Sequence, residues 1–199
     1  MVKGELPSRS YNIQSGHEMG HIFGLPHDFG NPQELNGSAL SLMGQYGSRH
    51  FRDYLWGGEK SSAFSSAGIM QMLSHPLFTQ SARIVNTKPK SSLSAIILGK
   101  NNNGIILKAL IKSDELPYGI TTLMRPTNLS EYFNRSSSDL ITGKDSLSVD
   151  LGRWAEGKYK LQLLLLYRNG SVVRLNRLVA IDNKGSAEII NNEYATSKY

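Results

Sequence analysis

The chain has 199 residues, 39% hydrophobic and 19% charged, which excludes a disordered polymer and leaves room for one large domain or two small ones. It has no cysteine, so disulfides, thiolate metal sites and cysteine nucleophiles are excluded. The net charge of +6 is dispersed, with no run of Lys and Arg, which argues for a mildly basic solvated surface and against a nucleic-acid partner.

In chain order, the opening residues MVKGELPSRS have no apolar core, so no secretory signal is expected there. Residues 12–24 (NIQSGHEMGHIFG) predict a helix that places Ile13, His17, His21 and Gly24 near one face. Gly24 and then Pro26 end it, since glycine just past a helix and proline beyond it are stop signals. Residues 29–60 are rich in Gly, Asn, Ser and aromatics and predict an ordered loop region. A second helix is expected over residues 63–74, capped by Ser61 or Ser62 and ended by Pro76.

From residue 81 the texture changes to short apolar or alternating runs at 82–85, 93–98, 105–111, 120–124, 146–151, 158–167 and 172–181. Asn169-Gly170 between the last two is a hairpin signal, and the Ser-rich residues 136–138 read as a loop. The longest apolar run, 161–167, is strand-sized and far short of the ~18 residues of a membrane span. The expected fold class is therefore α+β: a helical region at 1–80, an antiparallel β-sandwich of immunoglobulin or fibronectin type III character at 81–188, and a tail at 189–199.

The chemistry concentrates in His17-Glu18-Met19-Gly20-His21-Ile22-Phe23-Gly24-Leu25-Pro26-His27-Asp28. Histidines at i and i+4 share a helix side about 6 Å apart along the axis, so both imidazoles can reach one metal at ~2.0–2.1 Å. Glu18 is rotated about 100° from His17 and is free to face water rather than metal. On a continued helix His27 would lie roughly 9 Å beyond His21 and about 240° round, so the chain must turn back between them. Gly24 permits a left-handed backbone at that break, and Pro26 stiffens the segment that delivers His27. Three imidazoles leave a fourth position open, as catalytic zinc requires. The competing explanation is a core histidine pair on an amphipathic helix; five fixed residues at this spacing arise by chance in roughly one sequence in 10⁵, which weighs against it.

HExxHxxGxxH followed by Ser41-Leu42-Met43-Gly44-Gln45-Tyr46-Gly47 resembles the metzincin clan of zinc endopeptidases, with its zinc helix and methionine turn. The resemblance covers residues 12–80. It implies Zn²⁺ as cofactor, His17, His21 and His27 as ligands, Glu18 as general base in peptide-bond hydrolysis, and a protein or peptide as substrate. It further implies Met43 as an apolar floor under the metal. Asp28 is similar to the residue in the adamalysin branch; a partner that steadies a ligand or orients a loop and a surface turn residue are both open for it. Tyr46 follows Met43 by three residues, one more than in the astacin and serralysin pattern, and both an oxyanion-facing phenol and simple packing are open. His50 and His75 have no ligand spacing. Only 16 residues precede His17, so the upstream sheet of such a domain is expected to be missing, and secretion or a cell-surface location is implied by the resemblance alone. The alternative is a non-catalytic binding or adhesion module in which the β-domain acts and the zinc site is structural or vestigial.

Overall fold

The computed structural model describes residues 8–28, 39–44, 61–75, 77–78, 89–130, 133–141 and 145–191. The expected loops at 29–38 and 45–60, the expected strand at 82–85 and the Tyr46 and His50 assignments lie outside them. In chain order the elements are α1 (Ser8–Ile22), β1 (Ala39–Ser41), β2 (Ser61–Ala63), α2 (Ser66–Ser74), β3 (Ser91–Asn101), β4 (Gly104–Ser113), β5 (Gly119–Pro126), β6 (Arg135–Leu140), β7 (Ser146–Gly152), β8 (Gly157–Leu166), β9 (Val172–Ile181) and β10 (Ala187–Asn191).

This corrects the expected α+β class. Among the described residues the helices are α1 and α2 alone, and antiparallel sheet dominates. The segment expected to be a helical half also holds a parallel pair, β1 on β2, with Ala39 opposite Ser61 and Ser41 opposite Ala63. Those residues carry too few apolar side chains to signal a strand, and the pairing of distant backbone decides the matter. The cap of α2 shifts with it. Residues 61 and 62 are in β2, and Ser65 caps instead, its hydroxyl accepting from the Gly68 N–H at 3.0 Å.

Two sheets face each other over one core. Three strands run in the order β3-β4-β7 and five in the order β10-β9-β8-β5-β6. Alternation supplies the interior: Ile105, Leu107, Ala109 and Ile111 from β4 meet Leu161, Leu163 and Leu165 from β8. A bulge breaks β3, where two residues between Ser94 and Ile97 face a single residue of β4, and Ala95 takes a left-handed φ of 48°.

β6 falls on Ser136–Ser138, expected to be a loop, and β10 reaches into the expected tail. Both are edge strands. Their backbone bonds come from an already ordered neighbour, β5 for β6 and β9 for β10, so the polar β6 needs little apolar signal of its own and the short β10 only Ala187, Ile189 and Ile190.

The outer face of the five-stranded sheet is also covered. Leu123, Leu164 and Leu166 point away from the sandwich core and are buried under Met70 of α2, beside Tyr118 and Val172. The Tyr118 hydroxyl donates to the Met70 carbonyl at 2.6 Å. Gly119 lies so close that an added Cβ would sit 2.7 Å from the Met70 sulfur. Helix α2 is thus packed onto the sandwich.

Candidate metal centre

Helix α1 places His17 and His21 one turn apart on one side, and the chain then reverses. The Leu25 N–H donates to the Gly20 carbonyl at 2.9 Å and the Gly24 N–H to the His21 carbonyl at 2.9 Å. With φ of 77° at Gly24, this is a Schellman end, in which a left-handed residue satisfies the last helical carbonyls. Leu25 is buried at the reversal, and Gln71 of α2 donates to the Gly24 carbonyl at 2.9 Å. The turn is therefore held from both sides, and it aims His27 back at the helix.

All three expected ligands come together. The Nε2 of His21 lies 3.1 Å from that of His17 and 3.2 Å from that of His27. The ring centroids are 4.5 to 5.3 Å apart. Nitrogens held tetrahedrally at ~2.0–2.1 Å from a zinc ion lie about 3.3–3.4 Å from one another, within a few tenths of these separations.

The opposite ring nitrogens fix the chemistry. His17 Nδ1 faces the Leu42 carbonyl at 2.7 Å, and His21 Nδ1 faces the Leu25 carbonyl at 2.9 Å. A carbonyl only accepts, so both Nδ1 atoms carry a proton, and in the Nδ1–H tautomer of the neutral ring each Nε2 presents a lone pair to the other. Lone pairs at that separation repel unless a cation lies between them. Backbone carbonyls on the far nitrogens are also the usual device for orienting metal-bound histidines. Burial first, then His21 and His17, lowers the His27 pKa from 6.5 to about 4, with Glu18 opposing. His27 is therefore neutral at physiological pH, as a ligand must be. The donor set fits a borderline-soft divalent ion such as Zn²⁺.

The remaining expected residues separate. Glu18 is exposed, on the solvent side of α1 beside the cluster. Met43 is 1% exposed and packs against α1 at Gly20, where an added Cβ would collide with its sulfur. Asp28 is 3% exposed, so it is no surface turn residue. Its N–H donates to the Met43 carbonyl at 3.0 Å, and its carboxylate accepts from the Ser65 hydroxyl that caps α2. His75 stands apart from the cluster, edge-on to Phe23 with ring centroids 5.5 Å apart.

Three further residues support the site without belonging to the expected set. Gly20 leaves room for Met43. Ser65 links Asp28 to α2. Asn134 of the sandwich donates to the His27 carbonyl at 3.3 Å. Only Gly20 had a local signal, as a small residue inside a helix between two histidines.

No protein-family model matches the chain, and no curated protein is significantly similar to it in sequence. Its fold is shared with solved structures of OgpA from Akkermansia muciniphila. One is a catalytically inactive form in complex with an O-glycopeptide substrate, glycodrosocin, at TM-score 0.69 and 14% identity, covering 86% of this chain and 49% of that one. A wild-type OgpA structure gives TM-score 0.69 at 16% identity, with the same coverage. Another crystal form gives 0.66 at 15%, covering 88% and 49%. The chain thus spans about half the length of these neighbours.

These findings correct the metzincin assignment. The molecule is mainly β-sheet and its structural likeness is to OgpA, so it does not fit the helical half of a metzincin domain. The physical reason is that an eleven-residue helix-and-turn pattern dictates local ligand geometry, not the scaffold that carries it.

Proposed function

We propose that this chain forms part of a zinc-dependent hydrolase of peptide bonds, with Zn²⁺ held by His17, His21 and His27. The observation that carries the reading is the convergence of three Nε2 atoms, two of them with their far nitrogens committed to carbonyls. Zinc in that position supplies Lewis acidity, polarising a carbonyl and making water nucleophilic near neutral pH. Glu18, next to His17 and open to solvent, takes the proton of the attacking water on its carboxylate and passes it to the leaving amine. Met43 and Gly20 hold the two helical histidines against a dry base, and Asp28 fixes the segment that presents His27. The likeness to OgpA, whose substrate is an O-glycopeptide, supports a peptide substrate and makes O-glycosylated peptides the class to test first.

The test uses the full chain. Elemental analysis should find one zinc per chain in the wild type and in Glu18→Gln, and none in His21→Ala. A library of plain and O-glycosylated peptides should be cleaved by the wild type, with Glu18→Gln slower by about 10²–10⁴-fold. Equal cleavage by Glu18→Gln would remove Glu18 from the mechanism. A zinc-free wild type would end the metal reading.

A further inference from the structure

We infer that the β-sandwich is part of the metal site, through Asn134 acting as a positioning residue for His27. This rests on the zinc reading above and adds to it a contribution from outside the histidine motif. Asn134 lies just before β6 and is 3% exposed. Both ends of its amide are used. Nδ2 donates to the His27 carbonyl at 3.3 Å, and Oδ1 accepts from the Arg125 guanidinium at 3.1 Å. Arg125 belongs to β5, on the face of the five-stranded sheet that turns toward α2. A positive donor on one end of an amide polarises it and strengthens the other end as a donor.

The consequence follows from where His27 sits. His17 and His21 are fixed by a helix, whereas His27 lies beyond the reversal at Gly24, on two residues of irregular backbone. The peptide after it is tied to the Met43 carbonyl through Asp28 N–H. Its own carbonyl is tied to Asn134. The two bonds hold the His27 peptide plane from both sides, and Asn134 comes from 107 residues away in sequence. Loss of the Asn134 bond frees that plane to rotate and moves the His27 imidazole off the point where the other two converge.

The test compares wild type, Asn134→Ala and Asn134→Asp, each as the full chain. The aspartate keeps the size and the Arg125 partner but cannot donate to a carbonyl, so it isolates the bond in question. Zinc affinity is measured by chelator competition at a temperature where circular dichroism shows every apo protein folded. The cobalt(II) visible spectrum reports ligand geometry. Both variants are expected to bind zinc about 10–100-fold more weakly than wild type and to show an altered cobalt spectrum. If Asn134→Ala does not fold, Asn134→Asp alone carries the comparison. A purely structural role would lower the apo melting temperature and leave zinc affinity and the cobalt spectrum at wild-type values; that result overturns the inference and leaves the zinc reading standing. A wild type that binds no zinc overturns both.

Discussion

At the scale of single residues, the site depends on how histidine nitrogens are assigned. His17 and His21 each spend one nitrogen on a carbonyl, and His27 is kept neutral by burial and by its two neighbours. The sign of the resulting pH dependence is fixed. His27 ionises at about 4 in the folded chain against 6.5 for the free side chain. Between those values the unfolded chain binds more protons, so folding stability rises with pH across the window. His27 therefore makes the metal-free protein lose stability as pH falls from about 6.5 to about 4. Melting temperatures of chelator-treated protein should fall over this range, and His27→Gln should flatten the dependence; an unchanged slope would remove His27 as its source. The two glycines make a second residue-level case with different physics. Gly24 meets nothing within 4 Å if a Cβ is added, so Gly24→Ala should cost only the left-handed backbone, ~1 kcal/mol. Gly20 has ordinary helical backbone but no room beside Met43, so Gly20→Ala should cost about 1–3 kcal/mol by overpacking and loosen the paired histidines. Denaturant melts with matched m-values would rank the two.

At the scale of elements, α2 is the brace of the site rather than a carrier of chemistry. Its N-cap Ser65 accepts from Gly68 N–H and donates to the buried Asp28 carboxylate, and its Gln71 holds the Gly24 turn. Ser65→Ala should cost about 1 kcal/mol for the cap and a further ~1–2 kcal/mol for the weakened carboxylate bond. A double-mutant cycle of Ser65→Ala with Asp28→Ala should give a coupling of at least about 0.5 kcal/mol, and strict additivity would show the contact to be energetically idle. Of this arrangement the sequence discloses the three converging histidines and the turn, because i, i+4 spacing on a helix and a left-handed glycine are local constraints written in adjacent residues. It discloses the brace poorly. Ser65 is one serine among several, and which of them caps α2 is decided by where β2 ends. Asn134 has no local signal at all, since its role exists only once β5 and β6 deliver it to His27. The same holds for β6 itself, whose serines form a strand only because β5 offers a paired edge.

At the scale of the whole molecule, the run Leu163-Leu164-Leu165-Leu166 is the clearest sign of architecture, although its length alone suggests only a strand. Alternate residues of a one-sided strand would be polar. Here Leu163 and Leu165 fill the sandwich core, while Leu164 and Leu166 are buried on the opposite face against Met70 and Tyr118. The continuous apolar run is thus the imprint of a third layer, helix α2 laid on the sheet. Because α2 also holds the Gly24 turn through Gln71, the sandwich and the candidate metal centre are expected to share stability. A ligand that binds only the folded chain stabilises it by about 4 kcal/mol at a thousandfold excess over its dissociation constant. Zinc held by the three histidines should therefore raise the melting of the sandwich as well as of α1 and α2. Trp154, which packs against the sandwich core, is the reporter, with Trp56 replaced by Phe to isolate its signal. In scanning calorimetry with parallel Trp154 fluorescence, zinc-loaded protein should show one transition in both signals. Chelation should move both signals down together by several degrees. Two separate transitions, with Trp154 indifferent to zinc, would mean that the layer over Leu164 and Leu166 contributes little, and that the sandwich folds without regard to the metal.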